Sequence, residues 1–297
     1  MITQKTIMSN ILVTGCDGQL GLELKDLSEN YPNYQMVFTD ISKLNVTDHD
    51  AVKRYFNEND FDFVINCAAY TSVDKAEGEP YKANEVNHLA VENLAKICKD
   101  RDIGIIHIST DYVFDGNSDI PYTETDKPNP HSVYGKTKLE GELSLKAVNP
   151  SKSLIIRTSW LYSKLGKNFA TSMISKAKEN KQIRVVNDQI GSPTSAFDLA
   201  KVILDIIPKI ENKDVEVFHF SSSGECSWFD FAKEIFGSSD FDVDLHSISS
   251  ADFSSVAPRP NYSALNCEKI KNRFGISILD WKTSFKKVDF RSAGVEA

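Results

Sequence analysis

A chain of 297 residues, 41% hydrophobic, is long enough for one large domain or two of moderate size. A net charge of −8 with no basic stripe speaks against nucleic acid as a partner, though not against an anionic nucleotide held by backbone N–H groups. The five cysteines (Cys16, Cys67, Cys98, Cys226, Cys267) form neither a disulfide framework nor a metal-ligand spacing, and no stretch has membrane-spanning length or the apolar core of a signal peptide, so the expectation is a cytoplasmic chain with no membrane partner.

The first 160 residues alternate apolar runs with amphipathic segments. "NILVTG" (10–15), "YQMVFTD" (34–40), "DFVINCAA" (62–69), "GIIHIST" (104–110) and "SLIIRTS" (153–159) are nearly continuous in Val and Ile, as strands buried on both faces are. Helical patterns at 19–28, 48–58, 81–101 and 134–147 lie between them, and residues before Asn10 read as a loose extension. The repeated unit predicts an α/β fold: a Rossmann-type, doubly wound parallel sheet with right-handed crossovers. After residue 160 the rhythm loosens into helices (168–180, 196–207, 227–236), a strand (215–220) and a Ser- and Pro-rich stretch (247–263). This predicts a dinucleotide-binding domain over 1–160 and a smaller substrate-binding cap over 161–297, with the strand at 215–220 a candidate to return to the main sheet.

In chain order, the first chemistry-bearing motif is "TGCDGQLG", with Gly15, Gly18 and Gly21 after a strand and opening a helix. Such glycines allow a tight turn and close approach of a pyrophosphate to a helix N-terminus. Asp40 closes the second strand, 25 residues after Gly15, where an acid can bond the adenosine ribose. A carboxylate there favours NADH over NADPH, and Lys43 nearby softens that preference. "HISTDYVFDG" puts Ser109, Thr110 and Asp111 at the carboxyl end of the fourth strand, where doubly wound sheets bind their ligands. After the Pro-rich "ETDKPNPHS", "VYGKTKLEGE" carries Tyr134 and Lys138 four residues apart, on one helical face. Tyrosine's ordinary pKa is about 10. A neighbouring ammonium lowers it, so Tyr134 could protonate a carbonyl oxygen that Thr110 polarises, while Lys138 holds the nicotinamide ribose. The bland alternative is a packed residue and a solvated one on the same helix.

Together with "INCAAYTSVDKAE", "IIRTSWLY", "NDQIGSPT" and "APRPNYSALN", these motifs give a chain that resembles the extended short-chain dehydrogenase/reductases. Within them it is similar to the dTDP-4-dehydrorhamnose reductase family, and the resemblance spans essentially the whole chain. It implies NADPH or NADH as cofactor and reduction of the C4 ketone of a dTDP-6-deoxyhexose. Carried over by position, Tyr134, Lys138 and Thr110 are catalytic. Gly18, Gln19 and Leu20, with Gly15 and Gly21, line the pyrophosphate; Asp40 meets the adenosine ribose, and Ala69, Tyr70 and Thr71 border the cofactor. Thr110, Asp111, Tyr134, Trp160 and Arg259 face the sugar nucleotide, Arg259 as the guanidinium for its diphosphate. Trp160 could instead be a core tryptophan, and Arg259 a surface ion pair. Some members bind Mg²⁺ through glutamates at a dimer interface. Glu23 matches one such position, but the second carries Phe197, whose ring cannot ligate a hard cation, so no metal and no dimer bridged that way are expected. Two rivals are a reductase or epimerase of another nucleotide sugar and a non-catalytic, dinucleotide-binding regulatory subunit.

Overall fold

The computed structural model describes residues 8–238, 241 and 243–290. The expected extension before Asn10 lies largely outside these. Five strands, β1 (Ser9–Thr14), β2 (Tyr34–Thr39), β3 (Phe63–Asn66), β4 (Gly104–Thr110) and β5 (Leu154–Thr158), are joined by the strand Glu216–His219 in one six-stranded sheet. Its order is Glu216–His219, β5, β4, β3, β1, β2, and every pairing is parallel. β3 and β5 are buried throughout and β4 nearly so, which accounts for their unbroken apolar sequence.

Successive strand residues feed two separate cores, as the period of two requires. Ile11, Val13, Ile65, Ile106, Ile156 and Phe218 pack on the face covered by α1 (Gln19–Leu27) and α8 (Ala196–Ile206). Leu12, Val64, Ile105, Ile155 and Val217 pack on the opposite face, under α2 (His49–Glu58), α5 (Ala90–Asp100) and α6 (Val133–Val148). A third cluster around Tyr162, Met173, Phe231 and Phe285 joins α7 (Phe169–Glu179), α9 (Trp228–Gly237) and α11 (Trp281–Lys286). Residues beyond 160 therefore build this cluster and also complete the sheet and its α1–α8 face.

The helix expected over 81–101 is subdivided. α3 (Val73–Gly78) and α4 (Pro80–Asn84) precede a π-helical turn, Glu85–Leu89, that leads into α5. The wider turn delivers the buried Asn87 side chain inward. Asn87 accepts the Tyr70 N–H at 2.8 Å and donates to the Tyr70 carbonyl (3.1 Å) and to Thr137 Oγ1 (3.1 Å). α10 (Glu268–Phe274) closes on Gly275 in the left-handed conformation. The Ser- and Pro-rich stretch (247–263) follows on from a strand, Asp244–Ile248, paired in parallel with Gln182–Val186. Among the described residues no helix is long and apolar enough to cross a membrane.

Candidate active site

The carboxyl ends of β1, β3, β4 and β5 open onto a cavity of about 760 Å³. Gly15, Gly18, Gln19, Leu20, Gly21 and Asp40 line one part of it, and Ala69, Tyr70 and Thr71 another. Thr110, Asp111, Tyr134, Lys138 and Trp160 complete it, so every site residue expected from sequence except Arg259 meets in one space.

The glycine loop is shaped by contacts that leave no room for side chains. Gly15 has φ +65°, and a Cβ there would lie 2.7 Å from Ala68 Cα. A Cβ on Gly21 would lie 2.5 Å from Cys16 Cα. α1 starts at Gly18 with no side-chain cap, which leaves the helix's first N–H groups for an anion. Among the described residues four buried side-chain polar atoms lack a partner. Three of them, Gln19 Oε1, Asp111 Oδ2 and Thr158 Oγ1, belong to residues lining this cavity. Buried polar atoms are ordinarily satisfied, so this wall fits a polar ligand such as a dinucleotide. Asp40 accepts from Ser42 Oγ (2.8 Å) and from the Lys43 N–H (3.0 Å), and these bonds hold its carboxyl below the usual range and therefore charged.

α6, which carries Tyr134 and Lys138, starts where Ser132 caps it, accepting the Gly135 N–H at 3.1 Å. Gly135 lets the helix close on the Tyr112 carbonyl, 2.2 Å from where a Cβ would stand. Tyr134 is half-buried, and its ring packs edge-on to Tyr112 at 5.6 Å. Desolvation pushes its phenol up to about 12, with the Thr110 hydroxyl opposing and Asp111 reinforcing. That direction is opposite to the sequence expectation of a lysine-lowered tyrosine. Burial is the reason, and Lys138 donates its Nζ to the Ile108 carbonyl at 2.6 Å. Burial holds Lys138 itself down to about 8, with Glu142 opposing.

Thr110 Oγ1 donates to Asp111 Oδ1 at 3.0 Å and accepts the Tyr112 N–H at 3.2 Å. Burial pushes the Asp111 carboxyl up to about 6. Trp160 has φ +46° and stacks on Trp228 at 3.6 Å with 8° between planes. The backbone of Gly191 lies against its ring, and a Cβ there would come within 2.6 Å of Cε2. Arg259 is drawn away from the cavity wall: its Nη2 pairs with Asp74 Oδ2 at 2.7 Å and its Nη1 with Oδ1 at 3.1 Å. Glu23 is 3% exposed and accepts from the Ser163 hydroxyl, whereas Phe197 is 42% exposed. Among the described residues no group of three or more His, Cys, Asp or Glu side chains is arranged to hold a metal ion.

Two contributors escape a reading of the sequence. Trp228, on α9, lines the cavity, and only the third cluster's folding brings it beside Trp160. Asn87 binds the backbone of Tyr70, and its only local signal is its place in a helix that the sequence shows as regular.

A parallel sheet with a glycine-lined helix start, and a Thr, Tyr and Lys at its carboxyl edge, defines an extended short-chain dehydrogenase/reductase. Within that class the family is shown by sequence: the RmlD substrate binding domain family matches residues 8–291, and the chain belongs to it. A dTDP-4-dehydrorhamnose reductase from Sinorhizobium fredii is 38% identical over 286 residues, covering 94% of this chain and 96% of its own. A crystal structure of a dTDP-4-dehydrorhamnose reductase from Clostridium acetobutylicum has 43% identity and a TM-score of 0.88, covering 94% of this chain and 97% of its own. One from Bacillus anthracis, in complex with NADP, has 34% identity and a TM-score of 0.91 and covers 96% of this chain and 100% of its own.

Proposed function

We propose that the protein reduces the C4 ketone of dTDP-4-dehydro-L-rhamnose to give dTDP-L-rhamnose. The observation that carries this reading is the meeting of the glycine loop, Thr110, Tyr134 and Lys138 on one cavity. The substrate is taken from the relatives, which bear the name dTDP-4-dehydrorhamnose reductase at full-length similarity.

Bound along the glycine loop, NADPH or NADH supplies the hydride. Gly15, Gly18, Gln19, Leu20 and Gly21 hold its pyrophosphate, Asp40 its adenosine ribose, and Ala69, Tyr70 and Thr71 border it. The charged Asp40 disfavours a 2′-phosphate, while Lys43 beside it and the NADP-bound relative favour one, so both cofactors are accepted. Lys138 holds the nicotinamide ribose. Turning its one hydroxyl proton from Asp111, Thr110 donates a hydrogen bond to the ketone oxygen, and Tyr134, a neutral phenol, gives that oxygen its proton. Asp111, with one oxygen unpartnered, accepts from a sugar hydroxyl. Trp160 forms an apolar wall for the sugar nucleotide, and Arg259 meets the diphosphate on leaving Asp74.

Residues 1–160 act as the dinucleotide-binding part and 161–297 as the cap, apart from the strand Glu216–His219. The site is cytoplasmic in its chemistry, needing reduced dinucleotide and a sugar nucleotide. Any homodimer forms without a glutamate-held Mg²⁺, because Phe197 offers no ligand and Glu23 is bonded to Ser163. Metal analysis of the purified protein finding stoichiometric Mg²⁺ between subunits would overturn that part.

The test is oxidation of NADPH and NADH, followed by absorbance, with dTDP-4-dehydro-L-rhamnose generated in situ. Stoichiometric oxidation with dTDP-L-rhamnose as product is expected. An epimerase would leave the cofactor unconsumed, and a binding subunit would take up cofactor without turnover; either result sinks the proposal.

A further inference from the structure

Lys138 is 1% exposed and has two buried polar neighbours that the proposed chemistry does not use, His107 and Glu142. The Lys138 Nζ lies 3.4 Å from His107 Nε2. His107 is fully buried, and its Nδ1 is 3.1 Å from Asn66 Nδ2. Asn66 Oδ1 accepts the Thr14 hydroxyl at 2.7 Å, which leaves the amide nitrogen to donate to the ring. The imidazole proton is thereby fixed on Nε2, facing Lys138. An N–H opposite an ammonium repels it, whereas the lone pair of a neutral amine accepts it.

Glu142 stands one turn further along α6 and is fully buried. Both its oxygens are held. Oε1 accepts from Ser109 Oγ (2.5 Å) and Arg157 Nε (2.9 Å), and Oε2 accepts from Arg157 Nη2 (2.7 Å). Arg157 is 2% exposed and lies 5.1 Å over the Phe114 ring, with Nη1 3.4 Å from His219 Nε2. Glu142 is thus the anion of an ion pair buried with the Arg157 guanidinium. Its field favours the ammonium form of Lys138.

We propose that Glu142 and His107 are positioning residues that set the charge of Lys138 in opposite senses, Glu142 sustaining it and His107 opposing it. The other groups facing Lys138 do not reverse this balance. Cys67, beyond β3, has its thiol pushed up to about 12 by burial and stays neutral. Tyr134, one turn earlier on α6, stays a phenol. Arg157, on β5, spends its Nε and Nη2 on Glu142. This inference rests on Lys138 serving as a cation in the proposed reaction.

The experiment is the pH dependence of kcat in wild type, Glu142→Gln and His107→Gln, with melting curves to verify folding and Lys138→Met as reference. Glu142→Gln keeps the hydrogen-bonding shape and removes the charge, so the alkaline limb should move to lower pH by about one unit. His107→Gln offers a carbonyl in place of the N–H, so the same limb should move up. Opposite shifts support the proposal, because loosened packing has no reason to move a limb in two directions. Unmoved limbs, shifts of the same sign, or a fall in rate without a shift would overturn it. If Glu142→Gln does not fold, the direction of the His107→Gln shift decides alone. Full activity of Lys138→Met would instead reject the role given to Lys138. An inactive Lys138→Met with unmoved limbs rejects the tuning only.

Discussion

Burial keeps Tyr134 a neutral phenol across the physiological range, and a neutral phenol is the form a proton donor needs. Replacing Tyr134 by Phe removes that one transferable proton and little contact area. Turnover should fall by at least about 100-fold, the usual scale of a lost general acid, with cofactor affinity nearly intact. Steady-state kinetics with a parallel fluorescence titration of NADPH checks both halves of the expectation. Trp160 is the second residue whose setting matters more than its type. A left-handed backbone costs a non-glycine residue about 1–2 kcal/mol, and here Trp228 on one side and Gly191 on the other hold the ring in place. Nothing in the run "RTSWLY" announces the strain, since it is fixed by residues 31 and 68 positions away in the chain.

Helix starts and glycine positions, at the level of elements, were the readily legible part. "TGCDGQLG" follows a strand and opens a helix, and the structure makes steric use of Gly15 and Gly21. Gly21→Ala should therefore displace the loop and weaken dinucleotide binding roughly tenfold or more, equivalent to about 1.4 kcal/mol, as measured by titration. The π-helical turn at Glu85–Leu89 was not legible, because its residues carry an ordinary helical pattern and the extra residue is absorbed by tertiary bonds to Tyr70 and Thr137. Asn87→Ala would leave both backbone groups of Tyr70 unpaired. A loss of roughly 1–3 kcal/mol for each orphaned group is the usual scale. Melting temperature should drop, and the cofactor KM should rise because the Ala69–Thr71 segment loses its anchor. The bond pairing Arg259 with Asp74 was equally hidden, since 184 positions separate the two and an arginine reads the same whether it awaits phosphate or holds a carboxylate.

For the molecule as a whole, stability should decline on acidification. Burial holds His219 down to about 3 and His107 well below its usual 6.5, so both are neutral in the native state. Unfolding releases them to ordinary values, and below pH 6.5 the unfolded chain takes up two protons that the native state refuses. Asp111 acts the other way: raised to about 6, it is protonated in the native state near pH 5 and gives up its proton on unfolding. The balance of these three is one proton in favour of the unfolded chain, so stability falls as pH drops from 6.5. Glu23, also raised by burial, blunts the slope. Chemical denaturation at pH 7.5, 6.5 and 5.5 reads the trend; a flat profile would mean that the histidines are not held neutral. Most of the sheet's strands were legible in the sequence because they are nearly continuous apolar runs, while the sharing of the second half between two cores is a matter of which faces meet, and no run of residues encodes that alone.

The sheet's outer strand, Glu216–His219, bears on how the protein is made. Synthesis proceeds from the amino end, and the 57 residues between Thr158 and Glu216 separate β5 from its outer neighbour. At about 5–20 residues per second, the nascent chain spends roughly 3–12 seconds with β5 as a bare edge. During that interval His219 is missing from beside Arg157, and the backbone of β5 is open to any strand that comes near. The sheet built by the first 160 residues is thus finished only from within the second half of the chain, and until that later strand arrives β5 is the edge at which wrong pairing would start.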